Sequence, residues 1–474
     1  MAANIRTSSI KTLRSVRIHD EDPSSLWDIS FARNNSETTI SPSKSATIDK
    51  KEEEDSSAPL VLPALVHPHI HLDKAFIHGS KEYSDLLPVN GSFEEALHFT
   101  TLAKKRFHHD DLIKRGNQLV TESVAAGVTA IRGFVEVDST VKMTCLEVGK
   151  RLKKEWKDIC QIQLVSFAQD PIFSGQHAEE NWRRMEDAVR DPEVDVIGTT
   201  PYVESTVEAS RKNIEWAISR AWELQKHVDF HIDYNLNENS EAMVWHVLET
   251  LRKTGWTASA TKARVMLGHC TRLTLFSDDE WGRLASTIHD HDLPVSFVAL
   301  PTSDLYMAPL PVGENFKRPH VRPRGTLQVL HMIQALSLDT VIGVNNVGNA
   351  FTPWGSVDPI SLACLGVGIY HGGKPSDVAM LYECISTRAR AAIGLTESSV
   401  DIGLKTGYQG DLLILPNVDQ TGFGQTRPKQ TVADIVWDPP EVSTREVVSN
   451  GRLLLKNTAM NRLASIAVES IQDS

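Results

Sequence analysis

From Leu60 to about Leu395 the chain alternates short apolar runs with longer stretches in which apolar residues recur at helical spacing. Strand-length runs are read at Val61–Val66, Val128–Phe134, Ile162–Phe167, Val194–Gly198, His227–Ile232, Ala263–Gly268, Val295–Leu300 and Thr340–Val344. Helical patterns lie between them, over Phe93–Phe107, Leu112–Ala126, Leu146–Trp156, Glu179–Val189, Glu208–Gln225, Glu241–Lys253, Asp278–His289 and Thr326–Leu336. Strands that alternate with helices pair in parallel, and eight such repeats predict closure into a (β/α)8 TIM-type barrel.

The flanks read differently. Short apolar pieces at Ser15–Ile18 and Leu26–Phe31 have the look of strands, and residues 34–58 are rich in Ser, Lys, Glu and Asp, as a solvated loop would be. Beyond the barrel pattern, helical segments cover roughly Pro359–Ile393, after which Gly410–Leu415 and Glu446–Gly451 again read as strands with turn signals. Both chain ends are therefore β-like, and they are expected to meet in one small β-sandwich. The expected division is 1–60 and 396–474 for the sandwich and its tails, and 61–395 for the barrel.

Of the 474 residues 41% are apolar and 23% charged, an ordinary globular balance. A formal net charge of −12 argues against a nucleic-acid partner, which needs a basic face, and against docking on an anionic membrane. The five scattered cysteines contain no CxxC pair, so neither a disulfide framework nor a cysteine zinc site is read. The first residues carry no apolar signal core, and no apolar run approaches the roughly 18–20 residues that cross a bilayer. A cytoplasmic location is the expectation. Association into a homo-oligomer is a possible state for a barrel of this size.

Chemistry concentrates at predicted strand ends. In the segment from His67 to Lys74 an apolar run ends in His69-x-His71, and residues two apart on a strand point the same way. Two imidazoles can thus face one cation such as Zn²⁺ or Fe²⁺, although an isolated HxH also describes two histidines on a solvated strand end. His231 follows another strand, with Asp233 and Tyr234 behind it, and His269 follows a third. Barrels build their sites at the C-terminal ends of their strands, and four histidines at such ends point to a shared metal centre. A similar pair, His289 and His291, precedes its strand and so lies on the opposite side.

These motifs, with Ser166–Gln169, the stretch Asp195–Tyr202, Leu300-Pro301, Arg322–Gly325, Gly343–Gly355, Gly410–Leu412 and Ser449–Gly451, resemble the cytosine deaminase branch of the amidohydrolase superfamily over nearly the whole chain. The resemblance implies His69, His71 and His231 as metal ligands and His269 as the histidine that orients water or substrate. It implies Gln169 as a reader of a heterocycle's polar edge. The cofactor would be a divalent metal ion, Zn or Fe, and the partner a small heterocyclic substrate. The reaction would be hydrolysis of a non-peptide C–N bond in a cyclic amidine or amide by hydroxide generated on the metal.

Two positions depart from the family pattern. Tyr234 stands where a glutamate is usual, and Asn345 where an aspartate serves as ligand and base. An amide can offer an oxygen to a metal but cannot take a proton as a carboxylate does. Lys74 and Asp233 are further candidates for substrate binding, Asp233 having the alternative of orienting the chain after His231. Asp73, Lys74, Asp233, Glu204 and Asp304 are the nearby groups that could substitute. The departures keep two alternatives open: a family member that binds a small heterocycle without turnover, and a non-hydrolytic metal-dependent reaction.

Overall fold

The computed structural model describes residues 5–19, 25–31, 38–43, 58–307, 325–397, 400–420, 423–456 and 468–470. Arg322, Pro323 and Arg324 of the motif that runs into Gly325, and most of the charged stretch 34–58, lie outside these residues.

Eight parallel strands form the barrel sheet in chain order: β1 (Leu65–His71), β2 (Val128–Glu136), β3 (Gln161–Ala168), β4 (Val196–Thr199), β5 (His227–Ile232), β6 (Val265–His269), β7 (Val295–Ala299) and β8 (Thr340–Ile342). The order follows from right-handed strand–helix–strand units. Asn345, just past β8, completes the ring by bridging to Ile70 in β1. Helices such as His109–Ala126, Thr144–Trp156 and Val207–Leu224 pack outside, and their apolar faces meet the strands in the main core. Gly127 ends the first of these helices at φ +114°, the left-handed turn that lets the chain reverse into β2 at Val128. Inside the barrel floor, Val66, Ala130, Met266, Val298 and Val341 pack on Ala389 and Ala392 of the helix Thr387–Ala392.

The second sheet is mixed and draws strands from both chain ends. Its organiser is Arg6–Ile18, which pairs antiparallel with Arg452–Leu455 and Trp27–Phe31 and parallel with Leu60–Pro63. Ile10, Leu13, Val16, Ile29, Leu412 and Val448 form its own core. Two expectations are corrected. The apolar run from Val61 to Val66 is not one barrel strand. Leu60–Pro63 pairs with Leu412–Leu415 in the second sheet, and β1 starts only at Leu65. The polar segment after Asn34 is not wholly loop, because Thr38–Pro42 forms a hairpin with Trp27–Phe31.

β1 carries an irregularity between His67 and Ile70, where its pairing with β2 slips. A slip of this kind reverses which face a side chain takes, and proline is at home in it. Thus His67, before Pro68, turns outward to Ser123 of the helix His109–Ala126 at 3.1 Å, whereas His69 and His71 turn inward. Burial depresses the His67 pKa to about 3, with Asp358 opposing.

An unfolded histidine titrates near 6.5, so between about pH 6.5 and 3 the unfolded chain binds the extra proton. The contribution of neutral His67 to stability is therefore complete at neutral pH and is lost as the pH falls through that window. Urea midpoints at pH 7 and pH 5 should show wild type losing about 2 kcal/mol more than His67→Gln over this interval. A second prediction concerns the joint between the sheets. Buried Arg445, next to the strand Glu446–Ser449, holds Asp358 through two bonds of 2.7 Å and caps the Ala126 carbonyl at 2.9 Å. Asp358 in turn caps the helix Pro359–Ile369. Arg445→Ala strands a buried carboxylate and is expected to cost about 3–5 kcal/mol in urea unfolding. Arg445→Lys should recover only part, because an ammonium cannot make the forked contact.

Candidate functional site

The C-terminal ends of β1, β5 and β6 and the turn after β8 deliver side chains to one point above the barrel floor. The Nε2 atom of His231 lies 3.1 Å from that of His69 and 3.1 Å from that of His71. All three rings are buried, and burial is the main cause that lowers each pKa, so the imidazoles are neutral. The His231 nitrogen has either one proton or one lone pair, so it cannot satisfy both neighbours. A cation can accept all three lone pairs at once. A tetrahedral site with Zn–N bonds of about 2.0–2.1 Å separates its nitrogens by about 3.3 Å, close to the spacing present. These three donors are one group able to hold an ion among the described residues.

Behind them lies a fixed support. His69 Nδ1 is 3.4 Å from Asp229 Oδ1, and the other oxygen of Asp229 accepts from Arg132 at 3.1 Å. A carboxylate on the far nitrogen orients a ligating imidazole and raises its basicity. Asp229 and His231 are two residues apart on β5, so strand geometry sends both inward.

His269 does not join the three. Its ring centre is 5.2 Å from that of His231 and 6.5 Å from that of His69. Its Nδ1 instead meets Asp304 Oδ1 at 2.7 Å. Asp304 is fully buried and is held further by Thr326 Oγ1 at 2.9 Å and the Leu300 amide at 3.1 Å. Burial nonetheless raises the Asp304 pKa above the ordinary carboxylate value, against the pull of His269.

Tyr234 stacks on the His269 ring at 3.9 Å between centres. Its hydroxyl donates to the Ser303 carbonyl at 3.2 Å, and burial pushes its pKa well above the usual value, so the phenol stays protonated. Asn345 sits beside the imidazoles. Its Nδ2 donates to Ser303 Oγ at 2.9 Å, and its buried side chain also faces His71, whose pKa it helps to hold up against burial.

Lys74 and Gln169 meet at 3.0 Å, and Lys74 also pairs with Glu136 at 2.9 Å. Asp233 is placed elsewhere than expected for a substrate-binding group. Both of its oxygens accept backbone amides, from Met243 at 2.8 Å and Val244 at 3.0 Å, so it anchors the chain after β5 to the start of the next helix. Two further candidate substitutes, Glu204 and Asp73, are likewise occupied. Glu204 holds the Ile172 amide and Asn213, and Asp73 accepts the Glu136 amide at 2.6 Å.

The cleft at this point is nearly filled by its own side chains, with a cavity volume of about 10 Å³. Seven of the nine predicted residues line it: His71, His231, His269, Tyr234, Asn345, Lys74 and Gln169. Tyr202, Ser303, Asn346 and Phe351 complete the wall, and no carboxylate is among the described lining residues. Sequence reasoning passed over Asp229, Arg132 and Glu136. An isolated charge inside an apolar strand was the available signal for all three. Lys104, buried against Glu136 at 2.6 Å, had none, since it lies in an ordinary basic helix end.

Comparison with known proteins agrees with this architecture. The N-isopropylammelide isopropyl amidohydrolase of Pseudomonas sp. (strain ADP) is 23% identical over 414 residues, 86% of this chain and 89% of that protein. The pterin deaminase of Rhizobium rhizogenes is 23% identical over 363 residues, 75% of this chain and 74% of its own. The crystal structure of 5-methylcytosine deaminase from Klebsiella pneumoniae superposes with a TM-score of 0.76 at 18% identity, covering 94% of this chain and 97% of that one. The pattern of the Amidohydrolase family matches residues 60–454, from the strand that precedes the histidine pair to the last strands of the second sheet. A match of that extent makes the chain a member of the amidohydrolase family.

Proposed function

We propose that the protein is a metal-dependent hydrolase of a non-peptide C–N bond in a small heterocycle, with a divalent ion, zinc or iron, held by His69, His71 and His231. The observation that carries this reading is the convergence of three buried, neutral imidazole nitrogens that cannot satisfy one another. The substrate class draws support from the relatives, named for an ammelide, a pterin and a methylcytosine. A cavity of about 10 Å³ has room for about one water, so a small ring enters only as the lining side chains move aside.

A bound divalent ion supplies an acidified water and polarises the carbon under attack. The chain's own residues handle the protons and the geometry. Asn345 offers its carbonyl oxygen but takes no proton. Tyr234 keeps its proton on Ser303 and serves as the plate against which the His269 ring lies. His269 is then the lining residue able to take and return a proton at Nε2, with Asp304 fixing its tautomer through Nδ1. Gln169 and Lys74 position the ring.

A second reading, binding without turnover, is favoured by the lack of any carboxylate among the described lining residues. One set of measurements separates the two. Elemental analysis of the purified protein should find a divalent metal in stoichiometric amount, absent from His69→Ala and His231→Ala. Release of ammonia or amine from a panel of aminated heterocycles should fall by more than about 100-fold in both variants. Thermal stabilisation by a heterocycle with no ammonia or amine released by wild type would leave the binding reading in its place.

A further inference from the structure

Three consecutive residues at the start of the helix Pro301–Met307, just after β7, each reach a different part of the centre. Thr302 Oγ1 donates to the Val344 carbonyl at 3.2 Å, and Asp304 holds His269 Nδ1 at 2.7 Å. Between them, Ser303 serves two residues at once. Its carbonyl accepts the Tyr234 hydroxyl at 3.2 Å, and its Oγ accepts Asn345 Nδ2 at 2.9 Å. The Ser303 hydroxyl is placed in turn by Thr352 Oγ1 at 2.6 Å, and Ser303, Asn345 and Thr352 are all buried.

The contact with Asn345 matters because the two ends of its side chain are unlike. An amide has nearly the same shape when turned end for end, but one end accepts and the other only donates. An oxygen can face a cation, whereas an N–H group is repelled by it. A carboxylate at the same position has an oxygen at either end, and nothing needs to choose between them. Asn345 lines the cleft with His71 and His231, and its side chain faces His71. The main chain cannot make the choice, because the amide turns about a side-chain bond while φ stays at +65°. Among the described residues, the group that takes its nitrogen is Ser303 Oγ.

We propose that Ser303 is a positioning residue of the metal centre: by accepting the Asn345 amide nitrogen, it turns the Asn345 carbonyl oxygen toward the ion held by His69, His71 and His231. The hydroxyl is what lets an asparagine stand where a carboxylate would need no such guide. The inference rests on reading the three histidines as a metal site, and it concerns ion binding rather than the reaction.

The test is Zn²⁺ affinity, measured by competition with a chromogenic chelator on protein stripped of metal, with thermal melting of the stripped protein as the check on folding. Ser303→Ala keeps the carbonyl that holds Tyr234 and removes only the hydroxyl. It is expected to bind Zn²⁺ at least about tenfold more weakly than wild type, the usual cost of losing a group that orients a ligand. In an Asn345→Asp background the same substitution should change the affinity by less than about threefold, because both ends of the aspartate are oxygen. A role in packing alone would cost the same in both backgrounds. Should Ser303→Ala fail to fold, Ser303→Cys keeps a similar volume but accepts poorly, and carries the same pattern of a loss with asparagine and none with aspartate. Unchanged affinity in the Ser303 variants, or equal losses in both backgrounds, would overturn the proposal and leave the metal site standing. A wild type that binds no Zn²⁺ overturns both. Zn²⁺ binding in the expected pattern by a protein that releases neither ammonia nor amine refutes hydrolysis and keeps the role of Ser303.

Discussion

Between β8 and β1 the barrel is joined by two backbone hydrogen bonds, from the Asn345 amide to the His69 carbonyl at 3.0 Å and from the His71 amide to the Asn345 carbonyl at 2.9 Å. Without them the two outer strands would leave buried donors and acceptors unpaired, a cost few folds carry. The residue that closes the ring is also the residue whose side-chain oxygen stands beside the imidazoles. Fold closure and site assembly are therefore one event. The spacing of His69 and His71 relative to Asn345 is set by strand register and not by loop packing. The slip at Pro68 belongs to the same arrangement, because it turns both histidines inward while His67 is spent on the outer helix.

The electrostatic design places charge one layer behind the cleft. Asp229 is balanced by Arg132, Glu136 by two lysines, and Asp304 by His269. Each such pair is expensive to bury and gains its value from fixing geometry, since breaking one leaves a bare charge in a dry interior. Among the described residues, the wall of the cleft is uncharged apart from Lys74 and any titrating imidazole. Family members with carboxylates in the positions of Tyr234 and Asn345 would have two negative charges there. Here both positions are neutral and both are tied to Ser303, one through its carbonyl and one through its hydroxyl.

The barrel was readable because each strand is a short apolar run ended by a polar or glycine-containing turn, and because helical spacing fills the intervals. The histidines were readable because a strand's period of two and its C-terminal end leave little choice about where they point. The break at Ala64 was not readable. Leu60–Pro63 and the first residues of β1, Leu65 and Val66, form one continuous apolar run, yet they belong to different sheets, and only tertiary pairing separates them. Asp233 illustrates a different limit. A carboxylate two residues after a candidate ligand has the same appearance in sequence whether it faces a substrate or two backbone amides. Lys104 was hidden because burial of a helix lysine depends on three carboxylates from other elements.

Asp233, His269 and Asn345 all sit at positive φ, at +53°, +67° and +65°, where the chain leaves its strand. Side chains branched at Cβ are strongly disfavoured in that region, whereas asparagine and aspartate enter it readily. The backbone therefore narrows which replacements these corners can accept during divergence. At Asn345 the residue with the opposite chemistry, aspartate, is one the corner admits without a change of main chain. The barrel can thus pass between an uncharged and an anionic oxygen at its centre while its architecture stays fixed, which makes this corner a natural point for the lineage to alter what the centre does.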